Sequence, residues 1–155
     1  MYNEFFQDLS YGKRGEKMVN DALTAEGHTV IDMSNDSEYR RKDIDFRVIT
    51  RNKKEERTLE VKSDYSSQYT GNFFIEYQND NNKKRNYKGW YYYCEAEYIC
   101  FVQQENHKAY IVKFEELKQD IKKNKYRSAP SSDTWGFLVP VSAVESYSSC
   151  YCMEV

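Results

Sequence analysis

The stretch Asp43-Ile44-Asp45-Phe46-Arg47-Val48-Ile49, answered by Thr58-Leu59-Glu60-Val61-Lys62-Ser63, decides the reading of this chain. In the first segment Ile44, Phe46 and Val48 alternate with Asp43, Asp45 and Arg47, the period-two pattern of a strand with one buried face. In the second, Leu59 and Val61 face a core while Glu60 and Lys62 project together from the other side, about 6.5–7 Å apart between Cα atoms. The charged run from Arg51 to Arg57 separates the two, so they read as an antiparallel hairpin with a long solvated loop. Pairing of these strands can bring Asp45, or Asp43 on the same face, close to Glu60.

Working outward, residues Asn3 to Glu26 read as helix. Phe5, Phe6 and Leu9 form an opening apolar turn, and Met18, Val19, Ala22 and Leu23 repeat along one face. Gly12 and Gly15 suggest a break between two helices, and Gly27 a C-cap before a strand over His28 to Met33. Beyond the hairpin, Asn35 to Lys42, Ser66 to Asn72 and the polar Asn79 to Lys88 read as loops, the last as a flexible one. Phe73 to Gln78, Tyr98 to Gln103, Ala109 to Phe114 and Phe137 to Val141 read as strands, Phe114 to Tyr126 as a basic helix, and Ala129 to Thr134 as a linker. The expectation is one α/β domain over residues 1–155, with no internal repeat.

The hairpin residues suggest a chemistry. Magnesium takes hard oxygen ligands, usually one or two carboxylates with waters and substrate phosphates. Asp45 and Glu60 supply the carboxylates, and the Val61 carbonyl points away from its own side chain and can complete the set. Lys62 would then orient or activate a water, or offset charge on a phosphate. The plainer reading of the same residues is a cross-strand ion pair on a wetted sheet face.

Asp45, the Glu60-Val61-Lys62 triplet and their spacing resemble the PD-(D/E)XK nuclease superfamily, over roughly residues 12 to 78. The proline of that motif is absent, the sequence reading Lys42-Asp43-Ile44-Asp45. Many divergent members carry a glutamate on the first helix, and Glu16 within Gly12-Lys13-Arg14-Gly15-Glu16 occupies the corresponding place. Thr70 to Glu76 followed by Gly89-Trp90 also resembles phage-borne members. The resemblance implies a restriction-endonuclease-like core, a central mixed β-sheet flanked by α-helices, and Mg²⁺-dependent hydrolysis of DNA with Mn²⁺ as a substitute. It places Asp45, Glu60, Lys62 and Glu16 in the active site, with Asp43 the rival to Asp45 as ligand. Asp64, Glu76 and Gln78 are further candidates for supporting or substrate-contacting groups. Many members act as dimers, so a homodimer is part of the expectation. Substrate shape, whether duplex, branched, single-stranded or RNA, stays open because the fold hosts many specificities.

Composition narrows the field of partners. A net charge of −2 gives no global field toward nucleic acid. Contact with phosphate would fall to four local clusters: Arg40-Arg41-Lys42, Lys53-Lys54, Lys83-Lys84-Arg85 and Lys122 to Arg127. Two histidines far apart in sequence, and four cysteines without C-x-x-C spacing, leave little material for zinc or histidine-based chemistry. No apolar run spans a membrane or begins the chain as a secretory signal, so an intracellular, cytoplasmic protein, phage- or mobile-element-borne, is expected. The Trp90 to Tyr93 aromatics read as a packed wall before a base-stacking surface. The rival reading is a nucleic-acid-binding or protein-interaction module that keeps the fold without catalysis.

Overall fold

Helix α1 runs unbroken from Tyr2 to Ala25 in the computed structural model, which describes residues 2–155 but not the side chains of residues 2–6 and 8. The apolar turn expected at Phe5 and Phe6 therefore lies outside the described side chains. Gly12 and Gly15 do not break the helix. Gly12 faces open space, but a methyl group on Gly15 would stand 2.0 Å from the Ser63 hydroxyl oxygen. Close approach of helix to sheet thus outweighs the helix-weakening tendency of glycine there. Gly27, at φ +94°, ends the turn as expected, with the His28 N–H donating back to the Leu23 carbonyl.

Strand β1 (Thr29–Asp32) leads to a short helix α2 (Ser37–Arg41), where a polar loop was expected. Asp36 is the reason: its carboxylate accepts the N–H groups of Glu38 and Tyr39 and caps the turn. Strands β2 (Phe46–Ile49) and β3 (Glu56–Ser63) form the anticipated antiparallel hairpin, with Phe46 opposite Leu59 and Ile49 opposite Glu56. The chain then forms α3 (Ser67–Thr70), β4 (Asn72–Asn79) and α4 (Trp90–Tyr93) before returning as β5 (Tyr98–Gln103), parallel to β3. After β6 (Lys108–Lys113) come α5 (Phe114–Asn124), β7 (Ser128–Ser131), β8 (Thr134–Pro140), α6 (Val141–Glu145) and β9 (Tyr151–Glu154).

The result is an α/β fold around a mixed six-stranded sheet ordered β1-β2-β3-β5-β6-β9, in which only β3 and β5 run parallel. A second, antiparallel sheet is ordered β4-β8-β7. One face of the large sheet packs against α1, where Val19 and Leu23 meet Phe46, Val48, Leu59, Val61 and Val102. The other face packs against the small sheet and the remaining helices through Phe73, Ile75, Trp90, Phe101, Leu117 and Val144. Phe73 stacks on Phe101 with ring centroids 4.4 Å apart, which ties the two sheets together. No helix among the described residues is long and apolar enough to cross a membrane.

The segment from Asn79 to Lys88 is more ordered than its polarity implied. A 3-10 turn at Lys83–Arg85 is closed by hydrogen bonds from Asn79 N–H to Tyr87 O and from Tyr87 N–H to Asn82 O. Asn86 and Tyr87 take left-handed backbone angles to make the turn. Likewise Ala129 to Ser131, read as linker, forms most of the edge strand β7.

Candidate active site

The expected strict alternation fails at one place, and the site is built there. Ile44 packs on the small-sheet side with Phe73 and Trp90, whereas Phe46 and Val48 pack on the α1 side. Asp45 N–H donates to the Leu59 carbonyl at 3.0 Å, although Phe46 is already the register partner of Leu59. Two residues thus oppose one, the arrangement of a β-bulge, which turns a side chain out of the regular pleat. Asp45 uses that freedom to accept the Val61 N–H on Oδ2 at 2.8 Å. Its carboxylate thereby continues the ladder along β3 beyond the last paired residue of β2. Because N–H and C=O of one strand residue point to the same side, the Val61 carbonyl also faces this opening.

Glu60 and Lys62 project together from β3, as their spacing required. Glu60 is only 5% exposed; its Oε1 accepts the Lys62 ammonium at 2.9 Å, and its Oε2 is buried without a partner. Lys62 also reaches Asp43 Oδ2 at 3.1 Å and lies over the Trp90 ring, 5.1 Å from its centroid. Asp43 holds that position with a left-handed backbone (φ +58°). Burial pushes the Glu60 carboxyl well above the usual range, more than Lys62 draws it back. Burial also opposes the charge on Lys62, but Glu60 and Asp43 together outweigh it and hold the ammonium charged well above its ordinary range.

Glu16 comes to the site from the other face, carried by the close packing of Gly15 on β3. Burial, followed by the charge and a shared hydrogen bond of Asp45, pushes its carboxyl up to about 7. Lys13, 3.8 Å away, offsets part of that shift. A cleft of about 230 Å³ joins Glu16, Asp43, Asp45 and Glu60 with Lys13 and Arg40. All five sequence-predicted acids and bases of the core group, Glu16, Asp43, Asp45, Glu60 and Lys62, are therefore brought together. Among the described residues, however, no three acidic, histidine or cysteine side chains converge into a ready-made metal cage.

The supporting candidates divide. Glu76 on β4 lies near Lys62 and Asp43; burial raises its carboxyl and Lys62 lowers it. Gly89 makes this approach possible, since a methyl group there would stand 2.5 Å from the Glu76 carbonyl oxygen. Gln78, two residues on, does not join Glu76. A register shift separates the two, and the Gln78 amide bonds Asp80 instead. Asp64 is a structural brace, accepting Phe74 N–H at 2.8 Å, Ser67 N–H at 3.0 Å and the Ser66 hydroxyl at 3.2 Å. His28 accepts Arg51 N–H on Nδ1 at 3.0 Å, far from the cleft.

Two neighbours were missed by the sequence reading. Tyr93, pushed up to about 12 by burial and by Asp43, sits at the small-sheet side of the group under the Arg85 guanidinium. The Cys94 thiol, also up to about 12 chiefly through burial, donates to the Asp43 carbonyl at 3.4 Å. Neither residue had a local signal, because the return of the chain through α4 is what brings them to the hairpin. Comparison with protein-family models, with curated proteins and with solved structures returned no match.

Proposed function

We propose that this cleft hydrolyses phosphodiester bonds of DNA with a divalent cation, Mg²⁺ or Mn²⁺, in the manner of PD-(D/E)XK nucleases. The observation that carries the reading is Glu60 Oε2, a buried carboxylate oxygen with no partner, in a cleft that also gathers Asp45 and Glu16. Leaving such an oxygen unsatisfied costs at least about 1–3 kcal/mol, and a cation would repay it. Asp45, Glu60 and the Val61 carbonyl would hold the ion with Glu16 assisting; two carboxylates suffice for magnesium, so a preformed cage is not required. Asp43 is the weaker ligand candidate, since its Oδ2 is already engaged by Lys62. Bound there, the ion would lower the pKa of a water and polarise the phosphate.

The residues themselves divide the remaining work. With its ammonium paired to Glu60 and Asp43, Lys62 would orient the attacking water and offset charge that develops on the phosphate. Three of the four basic clusters border this region: Arg40 lines the cleft, Arg85 donates to the Arg41 carbonyl, and Arg127 lines the adjoining cavity with Lys62. They supply the local positive charge that the net charge of −2 withholds.

The test is cleavage of plasmid and branched DNA with Mg²⁺ or Mn²⁺, where activity is expected in the native chain and lost in Lys62→Ala and Asp45→Asn. Retained activity in those variants would sink the assignment. The second reading is a binding module without catalysis, in which the Lys62 pairs with Glu60 and Asp43 serve only to brace the group. Calorimetric titration with Mn²⁺ separates the two, since only the nuclease reading requires binding that depends on Asp45 and Glu60.

A further inference from the structure

Beside the cleft, a larger cavity of about 790 Å³ opens between β3 and the small sheet, lined by Lys62, whose ammonium pairs with Glu60 of the cleft at 2.9 Å. Its wall carries Arg127 and Pro130 from the β7 side, and Trp90 and Tyr65 on the other. Tyr65 is 54% exposed, and Tyr69, which packs on it with ring centroids 5.3 Å apart, is 70% exposed. Tyr11 from α1 meets the edge of Tyr65 at 6.2 Å, with the Arg14 guanidinium 5.8 Å from the Tyr11 ring. Exposed tyrosines in contact with one another, next to a cavity that carries Arg127 and Lys62 beside the carboxylates of Asp64 and Glu76, need an explanation that core packing does not give.

We infer that this cavity seats an unpaired strand of nucleic acid, with bases stacked on Tyr65 and Tyr69 and backbone phosphates facing Arg127 and Lys62. The inference rests on the nuclease reading for what happens to the strand, but the binding can be measured apart from it. Aromatic faces of this kind gain from bases only when those bases are unpaired, since in a duplex they are already stacked on one another. A duplex would meet the phosphate-binding cations but leave the tyrosines idle. The volume suits a few nucleotides entering from the tyrosine side toward Lys62. Glu105, which accepts hydrogen bonds from Tyr11 and from Gln68, holds the platform in place without covering the Tyr69 ring.

The experiment is fluorescence anisotropy in EDTA, with the full chain and three labelled probes: a 15-nucleotide oligo-dT, an oligo-U of the same length, and a 15-base-pair duplex. Either single strand is expected to bind at least about fivefold more tightly than the duplex. The Tyr65→Ala/Tyr69→Ala variant should lose about tenfold or more of single-strand affinity, following the usual 1–3 kcal/mol per stacked base, with duplex binding unchanged. Tyr69→Ala alone, at a largely exposed position, should show part of that loss and guards against misfolding of the double variant. Equal or tighter duplex binding, or single-strand affinity unmoved by these substitutions, overturns the inference. Single-strand binding in EDTA without cleavage in Mg²⁺ would support the strand seat and remove the hydrolytic reading. Duplex cleavage with no single-strand preference would do the reverse.

Discussion

Glu16 shows how crowding at the site is converted into pH dependence. Its carboxyl stands at about 7 because burial and Asp45 disfavour its charge. The folded state therefore holds the proton more tightly than the unfolded chain. In metal-free protein the stability this group contributes is fully present below about pH 4.5 and is lost as pH rises through about 7. The loss is up to about 3 kcal/mol by linkage. Urea unfolding in EDTA at pH 5 and pH 8 should show that loss in the native chain and a much flatter profile in Glu16→Gln. Identical slopes would mean that Glu16 titrates normally. Lys62→Met poses a sharper question, because it strands Glu60 without its cation. A destabilisation of about 3 kcal/mol or more at pH 8 is expected, read as a lower denaturation midpoint. Glu60→Gln in the same background should recover most of it.

At the scale of elements, what was legible depended on whether a residue's neighbours were local. Glu60 and Lys62 could be placed because two residues along a strand share a face whatever surrounds them. Asp45 could be nominated but not oriented, since the bulge opposite Leu59 exists only in the pairing. The short helix α2 escaped notice because one capping carboxylate, not an apolar period, sustains it. Strands β7 and β9, reading SAPS and YCME, have no alternation to detect and form because a partner strand offers its edge. The continuity of α1 through Gly15 was hidden for a similar reason, tertiary contact overriding propensity. Gly89 carries a prediction at this scale. A methyl group there meets the Glu76 backbone at 2.5 Å as well as the base of its side chain, and backbone cannot turn away, so Gly89→Ala should push β4 from α4. The expected cost is about 1–3 kcal/mol, seen as a lower melting temperature together with altered near-UV circular dichroism from Trp90.

Across the whole molecule, function and charge are distributed unevenly. The chain is slightly acidic, yet Arg40 lines the cleft and Arg127 its neighbouring cavity, while Lys53 lies by a separate cavity with His28 and Tyr151. Affinity for a single strand should fall with salt according to the few cations at the site. Arg127→Ala should reduce the slope of log affinity against log salt by about 0.7, whereas Lys53→Ala should leave it unchanged. An equal effect of the two would place the strand elsewhere. The large sheet also bears on mutational design. The Asp45 carboxylate serves as a rung where β2 has already turned away, so the residue is half side chain and half honorary backbone. An amide retains the oxygen that receives the Val61 N–H, but alanine leaves that donor empty. Asp45→Asn therefore isolates the loss of charge, whereas Asp45→Ala would confuse a chemical defect with a slipped strand.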